Sequence, residues 1–270
     1  MSEGTAAAKT EQTQAKTVHY QRPGLTAITP YIIVRPTAQF MEFLKSSFDG
    51  IERLRMPAPD GSIMHAEVAV GNGAIEVSDG NEQYPTAPAE THLYVNDADA
   101  TVQRALEAGA TSVFPVADQP WGDRWGAVKD QFGNRWHIAK PGTWSQGMES
   151  VASVQPYLHL REAHKMIPFM EAAFGAENLG AHQSPEGKVL HGTMRNGNAT
   201  LEIAEAYGEM QPMPCHLHIY VPDTDAVYAR ALEAGATSIE APRNAPYGDR
   251  AAGVKDAWGN SWFIATYLGK

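Results

Sequence analysis

Two hairpin-like stretches of alternating apolar and polar residues recur along the chain. The first runs from Trp121 to Ala139 (WGDRWGAVKDQFGNRWHIA) and the second from Tyr247 to Ala265 (YGDRAAGVKDAWGNSWFIA). In each, the turn pattern D-x-x-G-N separates two short runs with strand character, and its glycine supplies the positive φ that such a turn needs. Because successive strand residues point to opposite faces, Trp136 and His137 are predicted to lie on opposite sides of the sheet. This alternation decides which side chains can meet a ligand.

These stretches belong to a longer repeat. Ala139 and Ala265 are 126 positions apart, and the same offset relates His92 to His218. The segment RALEAGATS also occurs twice at this offset. A constant offset with no insertion indicates a duplicated unit rather than shared composition. We expect two copies of one fold.

Each copy is itself built of two similar parts. From residue 25 the pattern predicts a strand, a helix over residues 37–48 with an apolar stripe, and three further strands joined by turns. The same order of strand, helix and three strands begins again near residue 91. The chain is therefore predicted to be an α+β protein of four βαβββ modules.

Composition along the chain predicts the domain boundaries. Residues 1–24 lack apolar periodicity and are predicted to form a disordered tail, and residues 141–150 (PGTWSQGMES) have the turn-rich composition of a linker. We expect one domain over residues 25–140 and a second over residues 151–268. Since a four-module chain already contains an internal pseudo-two-fold, a compact monomer is expected, with a homodimer as the alternative.

Overall composition disfavours several classes of protein. The 270 residues carry a formal net charge of −10, which disfavours nucleic acids and anionic membranes as partners. The single cysteine, Cys215, cannot form an intramolecular disulfide, which favours a reducing compartment. No run reaches transmembrane length, and the N-terminus lacks the apolar core of a signal peptide. The sequence predicts a soluble, cytoplasmic protein.

The four modules, with the wording HAEVAVGNGAIEVSDG and PWGDRWGAVKDQFGNRWHIA, resemble the vicinal oxygen chelate superfamily, and within it the PhnB-like branch of glyoxalase and bleomycin-resistance proteins. The resemblance covers about residues 25–268 and is most specific in the GDR loop and the D-x-x-G-N-x-W hairpin of both copies. It implies two domains in which paired modules curl their sheets around a cavity. It does not fix a reaction, because members include glyoxalases, ring-cleaving dioxygenases and metal-free drug-binding proteins.

The resemblance also implies a divalent metal held by the first and last strands of each module. The matching positions are Thr29, Glu76, His92 and His137 in the first half, and Gln155, Glu202, His218 and Phe263 in the second. Thr29 is a poor ligand and Phe263 cannot be one, so each half keeps three candidates, and a cavity is expected in each half. A carboxylate with two imidazoles suits Zn, Ni, Mn or Fe(II). A protein without a bound metal is the open alternative.

Further residues are assigned to the cavities as hypotheses. Candidates for proton transfer or anion contact are His65, His191, Arg124 and Arg250. Candidates for substrate contact are Tyr31, Tyr94, Trp121, Trp125, Tyr157, His159, His216 and Tyr220. The alternative roles are structural: packing for the histidines and tryptophans, and an ion pair with a nearby carboxylate for each arginine. The sequence contains no G-x-S-x-G motif and no phosphate-cradling glycine loop.

Two functions of different classes fit this sequence. One is a divalent-metal-dependent lyase, isomerase or oxygenase that acts on a small organic molecule. The other is a metal-free binding or resistance protein that sequesters a planar or cationic compound on aromatic walls. The two copies agree at structural positions but differ at cavity positions, as in His137 against Phe263 and Glu67 against Thr193. We therefore expect at most one catalytic centre per chain, with the other cavity empty, structural or binding a different ligand.

Overall fold

The structure is a computed structural model that describes residues 20–142 and 152–269. Most of the predicted tail (residues 1–24) and of the predicted linker (residues 141–150) lies outside these ranges. The described residues form sixteen strands and four α-helices. The strands are β1 Ile28–Val34, β2 Ile51–Pro57, β3 Ile63–Val70, β4 Gly73–Asp79, β5 Glu90–Tyr94, β6 Thr111–Asp118, β7 Arg124–Lys129, β8 Arg135–Lys140, β9 Val154–Leu160, β10 Glu177–Gln183, β11 Val189–Asn196, β12 Ala199–Glu205, β13 His216–Tyr220, β14 Thr237–Asn244, β15 Asp249–Lys255 and β16 Ser261–Tyr267. The helices are α1 Thr37–Phe48, α2 Ala98–Glu107, α3 Met166–Phe174 and α4 Thr224–Glu233.

A strand, a helix and three strands follow one another four times, which confirms the predicted α+β fold. Module 1 is β1–β4 with α1, module 2 is β5–β8 with α2, module 3 is β9–β12 with α3, and module 4 is β13–β16 with α4. The modules form two eight-stranded sheets. The 1/4 sheet joins modules 1 and 4 in the order β14-β15-β16-β13-β1-β4-β3-β2, and the 2/3 sheet joins modules 2 and 3 in the order β10-β11-β12-β9-β5-β8-β7-β6.

The expectation that each half forms a cavity of its own is wrong, because both sheets are assembled across the two halves. In the 1/4 sheet, β1 pairs antiparallel with β13, and in the 2/3 sheet β5 pairs antiparallel with β9. Within one half, the modules meet through their helical sides instead: α1 packs on α2, and Phe48 of module 1 lies 4.8 Å from the ring of Trp136 of module 2. Each half therefore shares an apolar core but supplies one module to each sheet.

The D-x-x-G-N-x-W hairpin that recurs in the sequence is held by one buried carboxylate. Asp130 accepts hydrogen bonds from the backbone of Phe132 and Asn134, from the Asn134 amide and from the Trp136 indole, each at 2.9 Å. Gly133 adopts a φ of 93°, as the turn requires. Asn134 then accepts from the backbone N–H of Ala89 at 2.9 Å, which ties the hairpin to the start of β5. The second copy repeats these contacts around Asp256.

The helices cover only one side of the sheets. Asp97 caps α2 by accepting a hydrogen bond from the backbone of Ala100 at 3.0 Å, and Asp223 caps α4 in the same way.

Among the described residues, no helix is both long and apolar enough to cross a membrane.

Candidate functional site

Each sheet has an inner face, which is the face opposite the helices. Trp136 is fully buried on the helical side, where it packs on Phe40 and Phe48. Its neighbour His137 points the other way and is also buried, at 2% exposure. The predicted alternation along β8 is thus what the structure shows.

The 2/3 inner face gathers four of the predicted metal-ligand positions from both halves of the chain. His92 on β5 lies opposite His137 on β8 and opposite Gln155 on β9. Glu202 on β12 lies opposite Tyr157, which shares the face of Gln155. All four side chains are buried, with exposures between 0% and 7%. The predicted grouping by halves is therefore replaced by the set His92, His137, Gln155 and Glu202.

Glu202 is the centre of one polar cluster on this face. Its Oε2 atom lies 2.8 Å from Nδ1 of His92 and 3.4 Å from Nε2 of His191, and its Oε1 accepts a hydrogen bond from Tyr94 at 3.3 Å. Burial alone would raise the pKa of Glu202, but the two histidines outweigh it and lower the pKa. The carboxylate therefore stays ionised and can only accept hydrogen bonds, so His92 donates from Nδ1.

Glu90, which has no assigned role in the sequence prediction, is the centre of a second cluster. Its Oε1 atom accepts from Nε2 of His137 at 2.7 Å, and its Oε2 lies 3.0 Å from Nδ1 of His159 and 3.5 Å from Arg135. Burial would raise the pKa of Glu90, but the histidine hydrogen bonds lower it to about 2. The alternation along β5 places Glu90 on the face of His92, which is the sequence signal that identifies it.

Several buried atoms on the 2/3 inner face have no hydrogen-bond partner within the described residues. They include Nε2 of His92, Nδ1 of His137 and Oε1 of Gln155, and also Oε2 of Glu90 and Nδ1 of His159, whose contact at 3.0 Å lacks hydrogen-bond geometry. Burial lowers the pKa of His137 despite its contact with Glu90, so this ring is neutral. A neutral ring that donates from Nε2 keeps an unprotonated lone pair on Nδ1. Buried polar atoms are rarely left without a partner, and imidazole nitrogens and an amide oxygen are atoms that can bind a cation.

The equivalent positions on the 1/4 inner face are Thr29, Glu76, His218 and Phe263. Of these, Glu76 and His218 are residues that can bind a metal. His218 donates from Nδ1 to both oxygens of Glu76, at 2.8 and 3.0 Å. The Phe263 ring instead contacts Tyr31 at 5.5 Å and stacks with His216 at 5.8 Å. This face lacks the ligand positions that His137 and Gln155 supply in the other sheet.

A family model for the Glyoxalase/Bleomycin resistance protein/Dioxygenase superfamily matches residues 22–138 and 158–264. The chain belongs to this superfamily. Its relatives include uncharacterised proteins of Mycobacterium tuberculosis and Mycobacterium bovis, both 38% identical over 126 residues, which are 43% of this chain and 74% and 83% of theirs. Each of these relatives therefore matches a single copy of the repeat.

Solved structures of the superfamily fold match both copies. Glyoxalase I from Zea mays superposes with a TM-score of 0.69 at 14% identity, over 88% of this chain and 92% of its own. A putative dioxygenase from Bacillus subtilis superposes with a TM-score of 0.57 at 12% identity, over 92% and 86% of the two chains. At these identities the similarity shows the superfamily fold alone.

The predicted substrate-contact residues divide between the two inner faces of this superfamily fold. Those on the 2/3 inner face are Tyr94, Trp125, Tyr157 and His159, and those on the 1/4 inner face are Tyr31, His216 and Tyr220. Tyr157 lies among four histidine rings, at 4.6 Å from His159, 4.8 Å from His137, 6.1 Å from His191 and 6.2 Å from His92. Trp121 lies at the edge, 6.5 Å from Trp125 and 48% exposed. Tyr207 also borders this face, 5.9 Å from His159, and the sequence analysis missed it.

The two arginines predicted as catalytic candidates lie on neither inner face. Arg124 donates to both oxygens of Asp99 at the start of α2, and to Asp118 at 3.0 Å. Arg250 donates to both oxygens of Asp225 at the start of α4, at 2.6 and 2.8 Å. These contacts are the ion pairs that were expected as the alternative role of each arginine. His65 and His191, in contrast, lie beside the inner-face carboxylates Glu76 and Glu202.

Proposed function

We propose that the 2/3 inner face is the active centre of a divalent-metal-dependent lyase, isomerase or oxygenase acting on a small organic molecule. The observation that supports the proposal is that His92, His137 and Gln155 are register neighbours on the face of Glu202, and that Nε2 of His92, Nδ1 of His137 and Oε1 of Gln155 are buried without a hydrogen-bond partner within the described residues. Two imidazoles, an amide oxygen and a carboxylate suit Zn, Ni, Mn or Fe(II). Such an ion, when bound, polarises a carbonyl, enolate or hydroxyl oxygen of the substrate.

Glu90 prepares His137 for this role. Because the carboxylate is ionised and accepts from Nε2 of His137, the ring is fixed in the tautomer whose Nδ1 is unprotonated. A carboxylate behind a metal-binding histidine orients the ring and raises its basicity. Nδ1 of His159 lies 3.0 Å from the other oxygen of Glu90.

His191 is the candidate proton carrier of this centre. It lies 3.4 Å from Glu202, and its side chain is 50% exposed at the edge of the face. Burial lowers the pKa of His191, but Glu202 outweighs burial and raises it. The raised pKa favours the protonated imidazole, and a histidine that reaches solvent can pass a proton between the substrate and water. Tyr157, whose pKa burial raises well above 10, stays a neutral phenol that can donate a hydrogen bond to the substrate.

The test is metal content and its dependence on the proposed ligands. The protein, purified without a polyhistidine tag, should contain or take up about one equivalent of metal in this site. His92→Ala and Gln155→Ala should each remove that equivalent and the accompanying rise in melting temperature. The matched variants at the equivalent positions of the other sheet, His218→Ala and Thr29→Ala, should leave it in place. Unchanged metal uptake in His92→Ala would reject the 2/3 inner face as the metal site.

The second candidate function is metal-free binding of a planar or cationic compound. It is favoured by the exposed aromatic rings at the border of the 2/3 inner face, Trp121 at 48% and Tyr207 at 58% exposure. A protein of this kind would take up no metal on titration, and its tryptophan fluorescence would change when an aromatic cation is added. The combination of no metal uptake and a fluorescence change would replace the first proposal with the second.

Both functions are compatible with a monomer. Each eight-stranded sheet is completed within one chain by the β1–β13 and β5–β9 pairs, so neither inner face needs a second copy. We propose a compact monomer whose domains over residues 25–140 and 151–268 cannot be separated without opening both sheets. Light scattering that shows an obligate dimer would contradict this.

A further inference from the structure

Strand β3 brings two additional donors to the 1/4 inner face. His65 and Glu67 are two residues apart on β3 and share its inner side, and Glu67 lies directly opposite Glu76 on β4. Glu67 and Glu76 are buried, at 6% and 2% exposure. Ligand atoms of these three residues all lie within 4.8 Å of one another. The cluster His65, Glu67 and Glu76 thus combines one position carried over from the resemblance, Glu76 on β4, with two residues of β3 that the resemblance does not assign.

The spacing of the three donors matches a metal-binding geometry. Nε2 of His65 lies 3.6 Å from Glu67 and 3.9 Å from Glu76. Ligand atoms of a tetrahedral site with bonds of about 2.1 Å lie about 3.4 Å apart. The hydroxyl of Tyr31 lies 3.3 Å from Nδ1 of His65, so the ring is held with Nε2 towards the carboxylates. Metal-binding histidines commonly have a partner of this kind on the second nitrogen.

The Glu67 carboxylate is the observation that points to a ligand. The Glu67 side chain as a whole is more than nine-tenths buried, no hydrogen bond from the described residues reaches its carboxylate, and its contact with His65 at 3.6 Å is beyond hydrogen-bond distance. Arg22 is paired with Asp249 at 3.1 Å and acts on Glu67 through its charge alone, without a hydrogen bond. Glu76 already has a donor in His218. A buried carboxylate without a donor is costly unless a cation compensates its charge.

We propose that the 1/4 inner face binds a divalent cation through His65, Glu67 and Glu76. This site is separate from the centre on the 2/3 inner face. It takes two of its ligands from β3, whereas Thr29 and Phe263, which cannot serve as good ligands, lie on β1 and β16. His218 orients the Glu76 carboxylate from the side away from β3. The equivalent of Glu67 in the other sheet is Thr193, which carries no charge, so this set of donors occurs in the 1/4 sheet alone within the described residues. The two sites of one chain therefore differ in composition and affinity.

Calorimetric titration with Zn²⁺ and with Mn²⁺ tests the site directly. The full chain carrying His92→Ala and Gln155→Ala, in which the 2/3 site is disabled, should still bind about one equivalent of one of these ions. Adding Glu67→Gln should weaken that binding by at least about 10-fold, because a ligand is lost. Adding Thr193→Ala, at the equivalent position of the other sheet, should not change it.

Two results would overturn the proposal: no residual binding in the His92→Ala/Gln155→Ala protein, or residual binding that Glu67→Gln leaves unchanged. Circular dichroism of each variant without metal establishes that it is folded. If the double variant does not fold, the stoichiometry of the wild-type protein is compared with that of Glu67→Gln alone. A decrease of one equivalent supports the proposal, and equal stoichiometry rejects it.

Discussion

The two inner faces of this protein share one scaffold and differ in their donors. Where the 2/3 face has His137 and Gln155, the 1/4 face has Phe263 and Thr29. Where the 2/3 face has the uncharged Thr193, the 1/4 face has the buried carboxylate of Glu67. The backbone around these positions is nevertheless paired in the same register in both sheets. Duplication has therefore kept the hydrogen bonds of the frame and changed the side chains that can reach a ligand.

The two faces also differ in how they balance buried charge. Glu90 and Glu202 on the 2/3 face each contact two histidines. On the 1/4 face, Glu67 lacks a hydrogen bond, and neither ring nitrogen of His216 has a partner among the described residues. The difference therefore lies in single groups: Glu90 and Glu202 have imidazole nitrogens within 3.4 Å, whereas the nearest imidazole nitrogen to Glu67 is 3.6 Å away.

The largest expected effect tests whether the hydrogen bonds of the D-x-x-G-N-x-W hairpin contribute equally to stability in both sheets. Asp130→Ala removes a buried acceptor of four hydrogen bonds and leaves the Trp136 indole and the Asn134 amide without a partner. We expect a loss of about 3–5 kcal/mol of unfolding free energy, since each orphaned buried group costs about 1–3 kcal/mol. Asp256→Ala should cost about the same amount. Urea denaturation measures both, and a large inequality would show that the two frames are not equivalent.

The next effect concerns the loss of stability in acid. The equivalent positions Glu90 and His216 should contribute to this loss in different pH ranges. The pKa of Glu90 is about 2 in the folded state against an ordinary 4.5, so the unfolded chain binds the proton first as the pH falls. The stabilisation is complete above pH 4.5 and is lost between pH 4.5 and 2. From 1.4 kcal/mol per pKa unit it amounts to roughly 3 kcal/mol. Glu90→Gln should therefore be less stable than wild type at pH 7 and nearly equal to it near pH 2.

His216 should act in a higher pH window. Burial lowers its pKa from 6.5 to about 4, so the folded state binds fewer protons than the unfolded chain. Stability is then lost as the pH falls from 6.5 to 4. His216→Gln should remove this part of the decline and leave the part below pH 4.5 to Glu90. Denaturation series at pH 7, 5 and 3 measure both, and a decline between pH 6.5 and 4 that persists in His216→Gln would contradict the assignment.

The sequence predicted the modules and the direction of their side chains, because both follow from local periodicity. The placement of Trp136 in the core and of His137 on the opposite face needs only the two-residue repeat of a strand. The pairing of modules could not be predicted in this way. A repeat offset identifies equivalent strands, but which strand edges meet depends on the tertiary packing of α1 and α2 against Trp136. The predicted ligand sets were consequently divided by halves rather than by sheets.

The roles of single site residues depended on the same pairing. Glu90 is on the correct face by alternation, but its partner His159 comes from β9 in the other half of the chain. The histidine shell of Glu202 likewise includes His92 from the first half. The lack of a hydrogen-bond donor to Glu67 depends on which side chains the fold brings near it, so the sequence alone does not reveal it. Alternation therefore identified the face of each residue, while its partners required the structure.

A moderate effect is expected at the positions that differ most between the sheets. His137→Ala should weaken metal binding by about 100-fold, which corresponds to about 2.7 kcal/mol, because a ligand and its Glu90 partner are lost together. It should also remove the metal-induced rise in melting temperature at the 2/3 site. Phe263→Ala, at the equivalent position, should leave that rise intact. If both variants bind metal like the wild-type protein, the proposed ligand set on the 2/3 face is wrong.

The smallest effect is expected for residues that are the same in both copies of the repeat and lie outside the inner faces. Arg124 and Arg250 are partly exposed and pair with Asp99 and Asp225 at the starts of α2 and α4. Burial plays little part there, and solvent-exposed ion pairs contribute little to stability. Arg124→Ala and Arg250→Ala should each lower the melting temperature by no more than a few degrees, more at low salt than at high salt, and should leave metal stoichiometry and affinity unchanged. The experiment is thermal denaturation at two ionic strengths together with a metal titration. A variant that keeps its stability but loses metal or ligand binding would return its arginine to the active centre, and a loss in Arg124→Ala alone would show that the GDR loops, too, have diverged between the two copies.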